Sequence, residues 1–115
     1  MNDSILATVK KGLGVPEWDD GFDSELIIHI NSVLMGLTQI GIGPPGGVFI
    51  TGPDDTWTSL IEGSSEFEMV KSYMILRVKL LFDPPSSSFV LESYNKQIEE
   101  FEWRLYIQAE GAFDE

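Results

Sequence analysis

The run Met69-Val70-Lys71-Ser72-Tyr73-Met74-Ile75-Leu76-Arg77-Val78-Lys79-Leu80-Leu81-Phe82-Asp83-Pro84-Pro85 decides the fold. Its apolar residues occupy most of a helical circumference, and only a narrow strip near Glu68, Ser72 and Lys79 is polar. A helix apolar on nearly every side must be packed on several sides, so a long central helix with others around it is expected. Ser65-Glu66-Phe67-Glu68 in front of it is a capping-box pattern. Asp83-Pro84-Pro85 ends it, because each proline lacks an N–H and the first excludes helical angles from the residue before it.

On the C-terminal side, Ser86, Ser87 and Ser88 offer a cap for a last helix running to about Ala109. That helix is ~35 Å long at the usual rise per residue. Val90, Tyr94, Ile98, Phe101 and Leu105 form its main stripe, while Trp103, Tyr106 and Ile107 lie off it. Residues 110–115, ending in Phe113-Asp114-Glu115, read as a flexible tail.

On the N-terminal side, Asp3 to Leu13 reads as a short helix capped by Asn2 or Asp3, with Ile5, Leu6, Val9 and Leu13 as its stripe and Gly12 and Gly14 as its end. A second helix opens at Asp23 or Ser24 and runs to about Ile40, stopped by Gly41. Ile27, Ile30, Leu34, Leu37 and Ile40 make one face; Ile28, Val33 and Met35 widen it, so burial on more than one side is expected. Gly41 to Thr56 is irregular: Gly41-Ile42-Gly43-Pro44-Pro45-Gly46-Gly47 suits neither helix nor central strand, and Val48 to Thr51 is β-prone but short. A short helix through Trp57, Leu60 and Ile61 stops at Gly63. The expectation is an all-α fold: a compact bundle of four to five helices, with a long central helix, a long C-terminal helix and an irregular Gly/Pro-rich loop, forming one domain over residues 1–115.

The chain has 19 acidic and 7 basic residues and a formal net charge of −12. Duplex DNA is gripped by lysines and arginines that displace its counterions, so a DNA-gripping role is disfavoured. Lining a passage through which DNA slides stays open. There is no cysteine, which excludes disulfides, thiolate catalysis and cysteine zinc sites. No apolar run is long enough to span a bilayer, and the N-terminus lacks a signal-peptide pattern.

No catalytic pattern survives inspection. His29, the one histidine, sits between Ile28 and Ile30 with no nucleophile and orienting group implied beside it, and reads as a structural residue at a helix–helix contact. Asp19-Asp20-Gly21-Phe22-Asp23 fails as a calcium loop, because Ser24 and Ile30 stand where an EF-hand needs its glycine and glutamate. A turn and a helix cap account for these acids. The glycine-rich stretch lacks the lysine and hydroxyl of a phosphate loop. Glu99 and Glu102 share a helix face near Glu92 and Lys96 and read as a solvated strip. No enzyme, metal or cofactor is expected. Trp103, Tyr106 and Ile107 either lie under neighbouring helices or form a subunit interface, where such side chains are enriched.

His29-Ile30-Asn31-Ser32-Val33-Leu34-Met35, then Leu37-Thr38-Gln39-Ile40-Gly41-Ile42-Gly43-Pro44, Thr56-Trp57, Leu80-Leu81-Phe82-Asp83-Pro84-Pro85-Ser86-Ser87-Ser88, Gln97-Ile98 and Glu102-Trp103-Arg104-Leu105 resemble, in their order and spacing, the head–tail connector (adaptor) proteins of long-tailed phages. The resemblance extends from about Ser4 to Glu110. It implies a helical structural subunit that self-associates into a ring, usually dodecameric, beneath the portal protein. That ring extends the DNA channel without binding DNA specifically and docks the tail-side stopper, or head-completion, protein. It implies residence in the virion at the head–tail interface, and in the host cytoplasm during assembly, with no membrane partner. By position along the chain, the resemblance places Trp103, Tyr106, Ile107 and Phe113 at an interface. It places Gly43, Pro44, Pro45, Gly46, Gly47, Phe49, Asp54 and Asp55 in an exposed loop facing the lumen or a partner. Small size and charge self-repulsion suggest that the free subunit is monomeric and assembles on the portal. The competing reading of so acidic a chain is a DNA-mimic inhibitor of a nucleic-acid enzyme. A mimic needs carboxylates in phosphate-like rows, and here they are scattered.

Overall fold

The computed structural model describes residues 4–42, 46–59 and 67–111. Among them are four α-helices, α1 (Ile5–Leu13), α2 (Asp23–Gln39), α3 (Phe67–Phe82) and α4 (Ser88–Gly111), one 3₁₀ turn (Trp57–Ser59), and no strand. The fold is all-α, as expected. The Ser65 half of the capping box, Leu60, Ile61 and Gly63 lie outside the described residues.

α1 starts one or two residues later than expected. Ser4, not Asn2 or Asp3, is its N-cap, and Ser4 Oγ accepts from the Ala7 N–H at 3.2 Å. The C-termini of α1 and α2 end in the same way. Gly14 and Gly41 adopt left-handed φ of 81° and 95°, which glycine alone adopts without cost. The following N–H groups of Val15 and Ile42 reach back to the carbonyls of Lys10 and Leu37, both at 2.9 Å. Gly12 does not end α1. A Cβ there would lie 2.7 Å from the Ile75 side chain, so its role is to let α1 approach α3 closely.

α3 packs against α1, α2 and α4, and α1 also packs against α2. The core is one cluster drawn from all four helices and the loop: Leu6, Val9, Leu26, Leu34, Trp57, Met74, Val78 and Leu105 are among its members. α4 is 24 residues long, ~36 Å at the usual rise. Ser87 caps it, with its Oγ accepting from the Val90 N–H at 3.4 Å. Its second half seats Ile98, Phe101 and Leu105 on the core; Val90, at the start of the expected stripe, is exposed.

One buried charge escaped the sequence reading. Lys10, 3 % exposed, ends in a salt bridge to Asp23 at 2.8 Å and a hydrogen bond to the Glu17 carbonyl at 3.1 Å. Asp23 therefore does not cap α2, whose N-cap Phe22 makes no side-chain cap. Asp19 instead closes the preceding turn, accepting from the Gly21 N–H at 3.0 Å. Phe22 meets Phe82 edge-on, with ring centroids 5.2 Å apart.

The β-prone Val48–Thr51 segment forms no strand because a side chain supplies what a strand partner would. Asn31 on α2 accepts from the Ile50 N–H at 2.7 Å and donates to the Ile50 carbonyl at 3.1 Å. The Ile50 side chain is buried beneath this clamp. We predict that Asn31→Ala, which leaves both Ile50 backbone groups without partners, costs about 2 kcal/mol. Urea unfolding followed by circular dichroism reads this; a change within error would mean that solvent reaches the Ile50 backbone.

Candidate functional site

Two surfaces stand out, and both are apolar. On α2 the core face carries Leu26, Ile30, Val33, Leu34 and Leu37. Ile28 and Met35 lie roughly opposite that face and are exposed, Ile28 at 68 %. The sequence reading expected both to be buried with Val33. Only Val33 is, because the helices that cover α2 all pack on one side of it. Phe49 stands exposed beside Met35, and the two help wall a recess of about 140 Å³ between α2 and the 46–49 segment, lined also by Thr38, Gly46 and Gly47.

On α4 the geometry is similar. Trp103 and Ile107 are five and nine residues beyond the buried Ile98, roughly 140° and 180° round the helix. Trp103 is 62 % exposed, and Tyr106 and Ile107 are exposed by less. Phe89, on the same outward line two turns before Lys96, is 84 % exposed. Sequence reasoning passed over Phe89. Its signal was available: it falls roughly opposite Ile98 on the helical wheel. α3 lies between α2 and α4, packing on both, so the two apolar faces belong to different flanks of the subunit.

The loop residues expected to be exposed are placed as follows. Gly46, Phe49 and Asp54 are exposed, Gly47 is half-buried, and Gly43, Pro44 and Pro45 lie outside the described residues, as does Phe113. Asp55 is partly buried and folds its own turn: its carboxylate accepts from the N–H groups of Thr51, at 2.8 Å, and Gly52, at 3.4 Å. The Asp55 carbonyl accepts from the Ile5 N–H at 3.1 Å. An antiparallel bridge between Ser4 and Thr56 continues this seam. The segment 46–59 is thus tied to α1 at one end and to α2 through Asn31.

Among the described residues, Thr8 is occupied in holding the fold and His29 has no well-aligned partner. Thr8 Oγ1 donates to the Ser4 carbonyl at 2.8 Å and accepts from Trp57 Nε1 at 3.0 Å, so the hydroxyl beside the groove along α1 is no free nucleophile. His29 Nε2 is shielded from solvent and stands 3.4 Å from a Glu25 carboxylate oxygen, too poorly aligned for a hydrogen bond. Among the described residues no group of three or more His, Asp and Glu could hold a metal ion, and no helix is long and apolar enough to cross a membrane.

Glu102 corrects another expectation. It leaves the supposed solvated strip with Glu99 and turns to α3, where it accepts from the Tyr73 hydroxyl at 2.8 Å and from Arg77 at 3.2 Å. Arg77 also lies over the Tyr73 ring, 5.8 Å from its centroid. Burial raises the Tyr73 phenol well above the usual tyrosine range, the hydrogen bond to Glu102 raises it further, and Arg77 offsets part of this. Above about pH 10 the unfolded chain gives up this proton while the folded chain keeps it. The stabilisation is therefore complete below that pH and is lost as pH rises. The stability of the protein should fall more steeply with pH above 10 than that of Tyr73→Phe, read from urea midpoints; equal slopes would contradict this.

A family model described as phage connector protein matches residues 5–112. No curated protein and no solved structure matches the chain.

Proposed function

Because the chain belongs to the phage connector protein family, a family of structural proteins of the virion's head–tail junction, we propose that it is one subunit of a ring. In this reading the ring, of about twelve copies, sits beneath the portal, extends the DNA channel and docks the stopper protein on its tail side. The observation that carries the ring is the pair of apolar faces on different flanks, one on α2 and one on α4. A cyclic assembly needs two different patches per subunit, joined head to tail. Large exposed aromatic and aliphatic groups grouped on one helix face support an interaction surface there.

The charge fits a passage for DNA. A formal net charge of −12 works against adhesion of DNA, which needs lysines and arginines to displace its counterions. The inhibitor reading is weaker than it is from composition alone. Asp23, Asp55 and Glu102 bond within the fold rather than standing in rows at phosphate spacing.

A phage carrying a stop codon early in this reading frame tests the role. Filled heads and finished tails should accumulate unjoined, and supplying the protein in trans should restore plaques. Normal yields of complete virions would overturn the proposal.

A further inference from the structure

Trp18 is 84 % exposed and belongs to neither apolar face, because it sits in the turn between α1 and α2. That turn is held in one shape. The Val15 N–H donates to the Lys10 carbonyl at 2.9 Å, the Asp19 N–H to the Pro16 carbonyl at 3.0 Å, and the Asp23 N–H to the Asp20 carbonyl at 3.2 Å. The Asp19 carboxylate closes the tip on the Gly21 N–H. The buried Lys10 ammonium fastens the chain on both sides of Trp18, to the Glu17 carbonyl before it and the Asp23 carboxylate after it. A ring presented on a backbone already fixed loses little freedom on binding, and tryptophan is enriched among the residues that anchor interfaces.

The charges around the ring select its partner. Residues 16–25 hold Glu17, Asp19, Asp20, Asp23 and Glu25 and no lysine or arginine. Asp23 is paired inward with Lys10, and Glu25 faces His29. The end of α3, which Phe82 brings against Phe22, adds Asp83, already paired with Lys79. An indole face and the carboxylates beside it attract the same group, and arginine serves both, stacking on the one and bonding to the other. A second copy of this chain has no arginine to offer, since Arg77 and Arg104 are paired with Glu102 and Glu100. Its unpaired lysines are Lys11 and Lys96. Lys11 lines the groove along α1 together with Glu17, so two copies meeting there would set acid against acid. We propose that the Trp18 turn is a docking knob for an arginine-bearing apolar slot on the portal protein. The inference rests on the ring reading, in which the portal is the surface that gathers copies of like charge.

Binding of the full chain to its purified cognate portal, measured by surface plasmon resonance at low and high salt with the same mixtures imaged, separates the two. Trp18→Ala should weaken portal binding roughly tenfold or more, with a thermal melt matching the parent because the side chain is exposed. Asp20→Asn leaves the ring in place and reads the charge alone. It should weaken binding about threefold at low salt and hardly at all at high salt. Rings on the portal with Trp18→Ala binding unchanged would overturn the proposal and leave the ring reading standing. A loss in Trp18→Ala that neither Asp20→Asn nor added salt shares would also overturn it, since the slot would then carry no cation. So would a loss confined to the stopper or to self-association, which would give the knob another occupant. A parent chain that does not bind the portal at all would overturn both.

Discussion

Replacing Trp57 with alanine should remove about 3–5 kcal/mol of stability, a large share of the roughly 5–15 kcal/mol a domain has in total. Trp57 is fully buried and is among the largest side chains in the core. It also binds the loop to the first helix: its Nε1 donates to Thr8 Oγ1, and Thr8 in turn holds the Ser4 carbonyl. The alanine variant loses both the ring and this tie. Trp57→Phe keeps most of the buried area and loses only the donor, so it should cost about 1 kcal/mol. Urea unfolding followed by circular dichroism separates the two. An alanine variant within 1 kcal/mol of the parent would contradict the packing described. The link to function is direct, because the segment fixed by Trp57 and Asn31 carries Phe49 and walls the recess beside Met35.

The second large effect is asymmetric. Asp23→Ala should cost about 3 kcal/mol, since removing one partner of a buried ion pair leaves the other uncompensated. Lys10 is the member left behind, with only 4 % of its side chain exposed. The Glu17 carbonyl would remain as a partner but carries no full charge. Lys10→Met should cost far less, because Asp23, 26 % exposed, can turn to water, and the methionine fills the same space. Thermal melts of the two variants side by side read the difference. Equal losses would mean that the pair acts through packing and not through charge.

The helices were legible because their signals are local. A stripe at helical spacing, a glycine after it and a Pro-Pro after Phe82 fix where helices lie and stop, and α2, α3 and α4 begin or end within about two residues of the expected positions. What failed depended on partners distant in the chain. Gly12 looks like a stop until Ile75 is seen against it. Asp23 looks like a cap until Lys10 reaches it. Glu102 looks solvated until Tyr73 and Arg77 arrive from another helix. Val48 to Thr51 is β-prone but short in sequence, and Asn31 rather than a strand partner takes the backbone bonds of Ile50.

The candidate surfaces were legible by half. Trp103, Tyr106 and Ile107 fall off the stripe of α4, and that displacement is visible in the spacing alone. Ile28 and Met35 were read as core because an apolar residue beside a core face carries no mark of which way it turns. Among the described residues no helix covers that side of α2, and both are exposed. Phe89 was hidden in the same way, since Phe89, Val90 and Leu91 in succession give no direction until Ile98 and Leu105 fix the inward face.

Electron microscopy of this chain mixed with its purified portal tests the central claim most directly. A ring of added density on the tail-side face of the portal, with its channel in line with the portal channel, is the predicted result. A portal that keeps its bare outline at saturating concentrations of the folded chain would contradict it.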